Sequence, residues 1–115
     1  MQNKLDKNSV GIVSPSSVEI KQSLELDCGK TIENFCLVYE TYGKLNKEKN
    51  NAILICHALS GDHHAAGYHD INDKKPGWWD VCIGPNKPFD TNKFFIVSLN
   101  NLGGCMGSTG PNTLD

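Results

Sequence analysis

With 115 residues, 38% of them hydrophobic, the chain can supply the core of one small domain and not of two. Eleven basic and thirteen acidic residues leave a formal charge of −2, without the basic stripe that nucleic-acid binding calls for. No apolar run approaches the ~20 residues that span a bilayer, and the polar start from Met1 to Lys7 lacks the apolar heart of a signal peptide.

Residues 1–16 are polar and run into a Ser-Pro-Ser-Ser breaker at 14–17, so they are expected as a flexible N-terminal arm ahead of a domain over 17–115. From Val18 the pattern changes. Val18, Ile20, Leu24 and Leu26 alternate with polar residues, a turn follows at Asp27-Cys28-Gly29-Lys30, and a second alternation runs from Phe35 to Thr41. Two period-2 runs about a Gly-containing turn predict an antiparallel hairpin. A solvated connection over 43–51 leads to Ala52–Leu59, apolar almost throughout, and Phe94–Leu99 is a second such run. Both read as parallel strands buried on two faces, joined by a crossover whose best helix candidate lies around Trp78–Ile83. Trp78 and Trp79 are expected to pack there. The chain stops in a turn-rich stretch with no helix to follow its last strand, which leads us to expect the front part of a longer protein. The fold class expected is α/β, an antiparallel hairpin leading into a mostly parallel, incomplete sheet.

The five cysteines are odd in number and contain no Cys-x-x-Cys pair. They suit neither a disulfide framework nor a zinc ribbon, and predict free thiols in a reducing compartment. Cys36 and Cys56, inside apolar runs, read as small hydrophobes.

Ligands of open α/β sheets bind beyond the carboxyl ends of the strands. Two segments fall there: His57–His64 after the first apolar run, and Asn100–Gly110 after the second. All four histidines (His57, His63, His64, His69) lie within thirteen residues, together with Asp62 and Asp70, and imidazole with carboxylate suits zinc or iron. The spacing matches no helical zinc pattern, and adjacent His63 and His64 do not readily face one ion, so no metal is expected. Met106–Gly110 contains Ser108 but lacks the first glycine of a nucleophile elbow, and Ser108 stands nine residues beyond the strand. It reads as a loop serine that satisfies local backbone groups. The glycines of 103–110 fit neither a P-loop nor a dinucleotide fingerprint.

Several blocks in fixed order carry a more specific pattern: Tyr39–Asn46, Asn51–Asp62, Pro76–Asp80, Ile83–Pro85, Asn101–Cys105 and Gly107–Pro111. Together they resemble the homoserine O-acetyltransferase family, acyltransferases of methionine biosynthesis with the α/β-hydrolase fold. Homoserine and serine O-succinyltransferases share most of these blocks. The resemblance implies that an acyl group passes from a coenzyme A thioester to an active-site serine and then to the hydroxyl of L-homoserine. It places the family's Ser, Asp and His beyond this chain, so that the chain alone is expected to be inactive.

What the resemblance assigns here is half of an oxyanion hole, with the backbone N–H of Leu59 as donor. Such a donor is worth roughly 3–4 kcal/mol in the transition state. His57, Ala58, Ser60, Gly61, Asn101, Gly103 and Gly104 are the expected pocket residues, His57 as a loop-orienting hydrogen-bond partner. The expected donor is acetyl-CoA, with no bound cofactor, small-molecule partners only, a homodimer at full length and a cytoplasmic location. The enzymatic alternatives are a homoserine or serine O-succinyltransferase and an α/β-hydrolase esterase. The alternative outside enzymes is a metal-binding module on the His57–His69 cluster.

Overall fold

The computed structural model describes residues 6–111 and 113. Its centre is a four-stranded sheet built from β1 (Ser16–Ile20), β4 (Phe35–Tyr42), β8 (Phe95–Leu99) and β5 (Ala52–Cys56), in the order β1-β4-β8-β5. β4 is antiparallel to both β1 and β8, while β5 and β8 run parallel. The mixed, incomplete sheet with an antiparallel edge agrees with the sequence expectation, although among its three pairings only β5–β8 is parallel, fewer than a mostly parallel sheet would have.

The predicted hairpin is present but interrupted. Its first run divides into β1 and β2 (Leu24–Glu25), and β2 pairs with β3 (Thr31–Ile32) in a separate ribbon across the Gly29 turn. Gly29 takes a positive φ of 87°, as this turn demands. β1 then aligns with β4, Val18 opposite Leu37 and Ile20 opposite Phe35.

The crossover differs from expectation. Residues 57–94 join parallel β5 and β8 without a helix among the described residues. Where a helix was expected around Trp78–Ile83, the chain makes turns, with Asp80 N–H on Gly77 O at 3.2 Å and Cys82 N–H on Trp79 O at 2.9 Å. Pro76-Gly77 and Gly84-Pro85 bracket too few residues to repay helix nucleation. A parallel pairing of β6 (Ile83–Gly84) with β7 (Phe89–Asp90) takes its place. Trp79 packs here against Phe89 (ring centroids 5.2 Å apart) and the core, whereas Trp78 is exposed.

The core lies between one sheet face and this crossover. Tyr42, Ile55 and Ile96 from the strands meet Ala65, Ala66 and Ile83. Gly77 shows how tight the join is, because a Cβ there would stand 2.3 Å from the backbone of Ala65 and Ala66. The opposite face is open, contrary to the two-sided burial expected of Ala52–Leu59: the strand ends at Cys56, and Leu54 is 59% exposed. Cys36 and Cys56 are likewise exposed rather than packed as small hydrophobes. Cys28, Cys36, Cys56 and Cys82 form no disulfide.

Residues 1–5 of the expected arm lie outside the described residues. From Gly11 on the segment is hydrogen-bonded and packed rather than loose. Val13 N–H donates to Tyr68 O at 2.8 Å, Tyr68 N–H donates to Gly11 O at 2.9 Å, and Val10 and Val13 pack against the core. No helix among the described residues is long and apolar enough to cross a membrane.

Candidate active site and a buried histidine cluster

β5 and β8 run parallel and end side by side, Cys56 opposite Leu99, so the loops that follow them emerge together. They enclose a cleft of about 190 Å³ lined by His57, Leu59, Asn101, Leu102, Gly103 and Gly104. That is smaller than the roughly 300–1,000 Å³ of a complete ligand pocket. Five residues expected at the pocket from the sequence therefore do meet there. Ala58, Ser60 and Gly61 are not among its lining residues, and Leu102 joins it instead.

His57 ties the two loops together. Asn101 N–H donates to His57 Nε2 at 3.3 Å, which leaves Nδ1 as the protonated nitrogen, 2.6 Å from Ala58 O. Both ring nitrogens are engaged by backbone, an arrangement for orienting loops and not for accepting a substrate proton. Ala58 O also accepts from Gly61 N–H at 2.8 Å, closing a turn over 58–61. That turn carries Leu59 outward with a fully exposed side chain and with no partner for its N–H among the described residues.

Ser108 is buried at 1% exposure, and its hydroxyl is fully used. Oγ accepts from Val38 N–H at 2.8 Å and donates to Asn100 O at 2.7 Å. Thr109 continues the pattern, its N–H on Cys36 O and its Oγ1 accepting from Cys36 N–H, both at 2.8 Å. The loop thereby replaces β8 as partner of β4 beyond Leu99. Gly107 permits this, since its φ is +110° and a Cβ would stand 2.8 Å from Val38 Cγ2.

The histidines divide. His57 belongs to the cleft, while His63, His64 and His69 converge on Glu40, a carboxylate of 1% exposure contributed by β4. Oε2 of Glu40 accepts from Tyr42 OH at 2.6 Å and bonds His64 Nδ1 at 3.0 Å. Oε1 faces His69 Nε2 in close contact, with His63 Nε2 3.9 Å away. Burial pushes the Glu40 carboxyl up, but the bonds from His64, Tyr42 and His69 outweigh it and hold it below the ordinary carboxylate value. Burial pulls His64 down, and its bond to Glu40 more than compensates, so it is raised; His63, with no such bond, is lowered by burial. Asp62 and Asp70 cap turns instead, accepting from His64 N–H and Asn72 N–H at 2.8 Å each.

Glu40 is the residue that reading the sequence for histidine spacing passes over. Its signal is a lone acidic side chain within the apolar alternation Phe35–Tyr42, on the same face as Tyr42.

No family model matches the chain. The chain is 65% identical over 98% of its length to a homoserine O-succinyltransferase of Marinobacter nauticus, and 62% identical over its whole length to one of Cellvibrio japonicus. It spans about 30% of the length of these relatives. Among solved structures it is similar to a homoserine O-acetyltransferase from Bacillus anthracis, with 43% identity and a TM-score of 0.75 over 81% of this chain and 24% of that one. It is also similar to an esterase, with 38% identity and a TM-score of 0.82 over 90% of this chain and 30% of that one.

Proposed function

From the premise that the chain belongs to the homoserine O-acyltransferase family, with an α/β-hydrolase fold, we propose that it forms the N-terminal oxyanion-binding segment of an enzyme that acylates L-homoserine from an acyl-CoA. We place that reaction in cytoplasmic methionine biosynthesis, and at the relatives' full length we propose a homodimer. The observation that carries the reading is Leu59, a lining residue of the shared β5–β8 cleft whose N–H has no partner among the described residues.

Acyl transfer from a thioester passes through a tetrahedral intermediate whose former carbonyl oxygen is negatively charged. A main-chain amide already aimed at that oxygen stabilises it without reorganising, and in this fold one such donor comes from the loop after the third strand of the main sheet. Here the 58–61 turn presents Leu59 N–H, and His57, bonded to Ala58 O and Asn101 N–H, fixes the turn against the β8 loop. His57 is thus a positioning residue. The nucleophile and its base belong to the part of the relatives that this chain does not span.

We propose succinyl as the acyl group, in place of the acetyl expected from the sequence, because the relatives of 62–65% identity are named succinyltransferases. Acetyl is the second reading, favoured by the Bacillus anthracis structure at lower identity. Transfer from succinyl-CoA and acetyl-CoA to L-homoserine, measured on the polypeptide at the relatives' full length, tests both. The expected result is O-succinylhomoserine, with His57→Ala lowering kcat tenfold or more while KM for the acyl donor changes less. Hydrolysis without any O-acylhomoserine would place the chain with the esterase instead. An unchanged kcat in His57→Ala would remove His57 from the oxyanion loop.

A further inference from the structure

The geometry points to a zinc-type metal site made by Glu40, His63 and His69, remote in role from the acyl-transfer cleft and independent of that reading. One ligand atom from each residue lies within 4.8 Å of the other two. The Nε2 atoms of both histidines face the same carboxylate oxygen, Oε1, with His63 Nε2 at 3.9 Å. Ligands of a tetrahedral zinc stand about 3.3 Å apart, so rotamer shifts of less than an ångström per ring would close the set.

Two further observations support a ligand here. His63 is 5% exposed, yet its Nδ1 has no partner and its Nε2 stands too far from Glu40 for a hydrogen bond. Nε2 is therefore turned toward the carboxylate without a hydrogen bond to it, and a cation between Nε2 and Oε1 would give that nitrogen a partner. The other carboxylate oxygen is already held from behind, by Tyr42 OH at 2.6 Å and His64 Nδ1 at 3.0 Å. Outer partners of this kind orient metal-bound carboxylates. The ring of His69 is 38% exposed and gives a path for entry and a direction for a water ligand.

Spacing along the chain conceals this set, because its carboxylate lies on β4 and its imidazoles on the crossover. Bound there, the ion would pin residues 63–69 to β4, beside the hydrogen bonds that the Tyr42 hydroxyl accepts from Ala65 N–H and Ala66 N–H. Adjacent His63 and His64 need not share the ion, since they address opposite oxygens of Glu40.

The test uses the whole polypeptide that carries this chain, stripped with a chelator, then titrated with Zn²⁺ and with Co²⁺ as a spectroscopic probe. The expected result is one equivalent bound, with visible Co²⁺ bands and no thiolate charge-transfer band, because the ligands are N and O. His69→Ala, with the native circular-dichroism spectrum as the check on folding, should weaken binding at least a hundredfold. His64→Ala should weaken it ten- to hundredfold through the outer shell. Cys28→Ser should leave binding unchanged. Binding well below one equivalent, a thiolate band, or undiminished affinity in His69→Ala would each overturn the site.

Discussion

Replacing Tyr42 by Phe removes one oxygen and keeps the ring in the core. That oxygen serves three groups. It donates to Glu40 Oε2 at 2.6 Å and accepts from Ala65 N–H at 3.0 Å and Ala66 N–H at 3.1 Å. Its single proton goes to the carboxylate and not to the His63 carbonyl, which is farther away at 3.3 Å. Tyr42 is 2% exposed and both alanines 0%, so water has no ready route to the abandoned groups. Loss of a hydrogen bond to a charged group costs about 1.5–3 kcal/mol, and each buried N–H left unsatisfied about 1–3 kcal/mol. Taking the low end for all three, because shared partners do not add fully, the expected destabilisation is about 3.5 kcal/mol. Amide hydrogen exchange at Ala65 and Ala66 gives a local readout, and that loss corresponds to more than a hundredfold faster exchange at both. Urea unfolding should show a lower midpoint at unchanged slope. Exchange at the two alanines within threefold of the parent, in a folded protein, would refute the claim that this hydroxyl holds the crossover on the sheet.

Three more outcomes follow from the same geometry. Ser108→Ala should cost about 1–3 kcal/mol in denaturant unfolding, since Val38 N–H loses its acceptor, yet acylated enzyme should still form; a folded variant that no longer takes up the acyl group would make Ser108 a participant in the chemistry. Gly77→Ala should fail to give soluble folded protein, since its Cβ would stand 2.3 Å from the backbone of Ala65 and Ala66; a native circular-dichroism spectrum and transition would show that this contact can yield. In metal-stripped protein, His64, raised by its bond to Glu40, contributes stability that is complete below the unfolded value near 6.5 and is lost as pH rises through its folded value. His63, lowered by burial, and Glu40, held below its ordinary value, act in the opposite sense and lose their contributions as pH falls. Unfolding measured from pH 6 to 9 should decline in the parent and flatten in His64→Gln; equal slopes would dissociate His64 from Glu40.

Local pattern made much of this chain legible. The alternations at Val18–Leu26 and Phe35–Thr41 and the apolar runs Ala52–Leu59 and Phe94–Leu99 announced the strands, because side-chain period and burial are properties of neighbouring residues. Two parallel runs bring the loops that follow them to one end of the sheet, where His57, Leu59 and Asn101 meet. The helix that the pattern around Trp78–Ile83 predicts does not form, because close packing of Gly77 against Ala65 and Ala66, a contact eleven or more residues away, overrides a short segment's weak preference.

The tertiary structure alone decided three matters. It used the Ser108 hydroxyl as a splice between Val38 and Asn100, where the motif offered a damaged elbow. It carried His57 away from the other histidines and joined the rest to Glu40, a partner 23 or more residues upstream of each in the chain. It left the Leu59 amide without a partner among the described residues, beside a cleft. Hydrophobic periodicity is written along the chain and survives without folding. Satisfaction of buried hydrogen-bonding groups is a sum over partners that only the folded chain brings together.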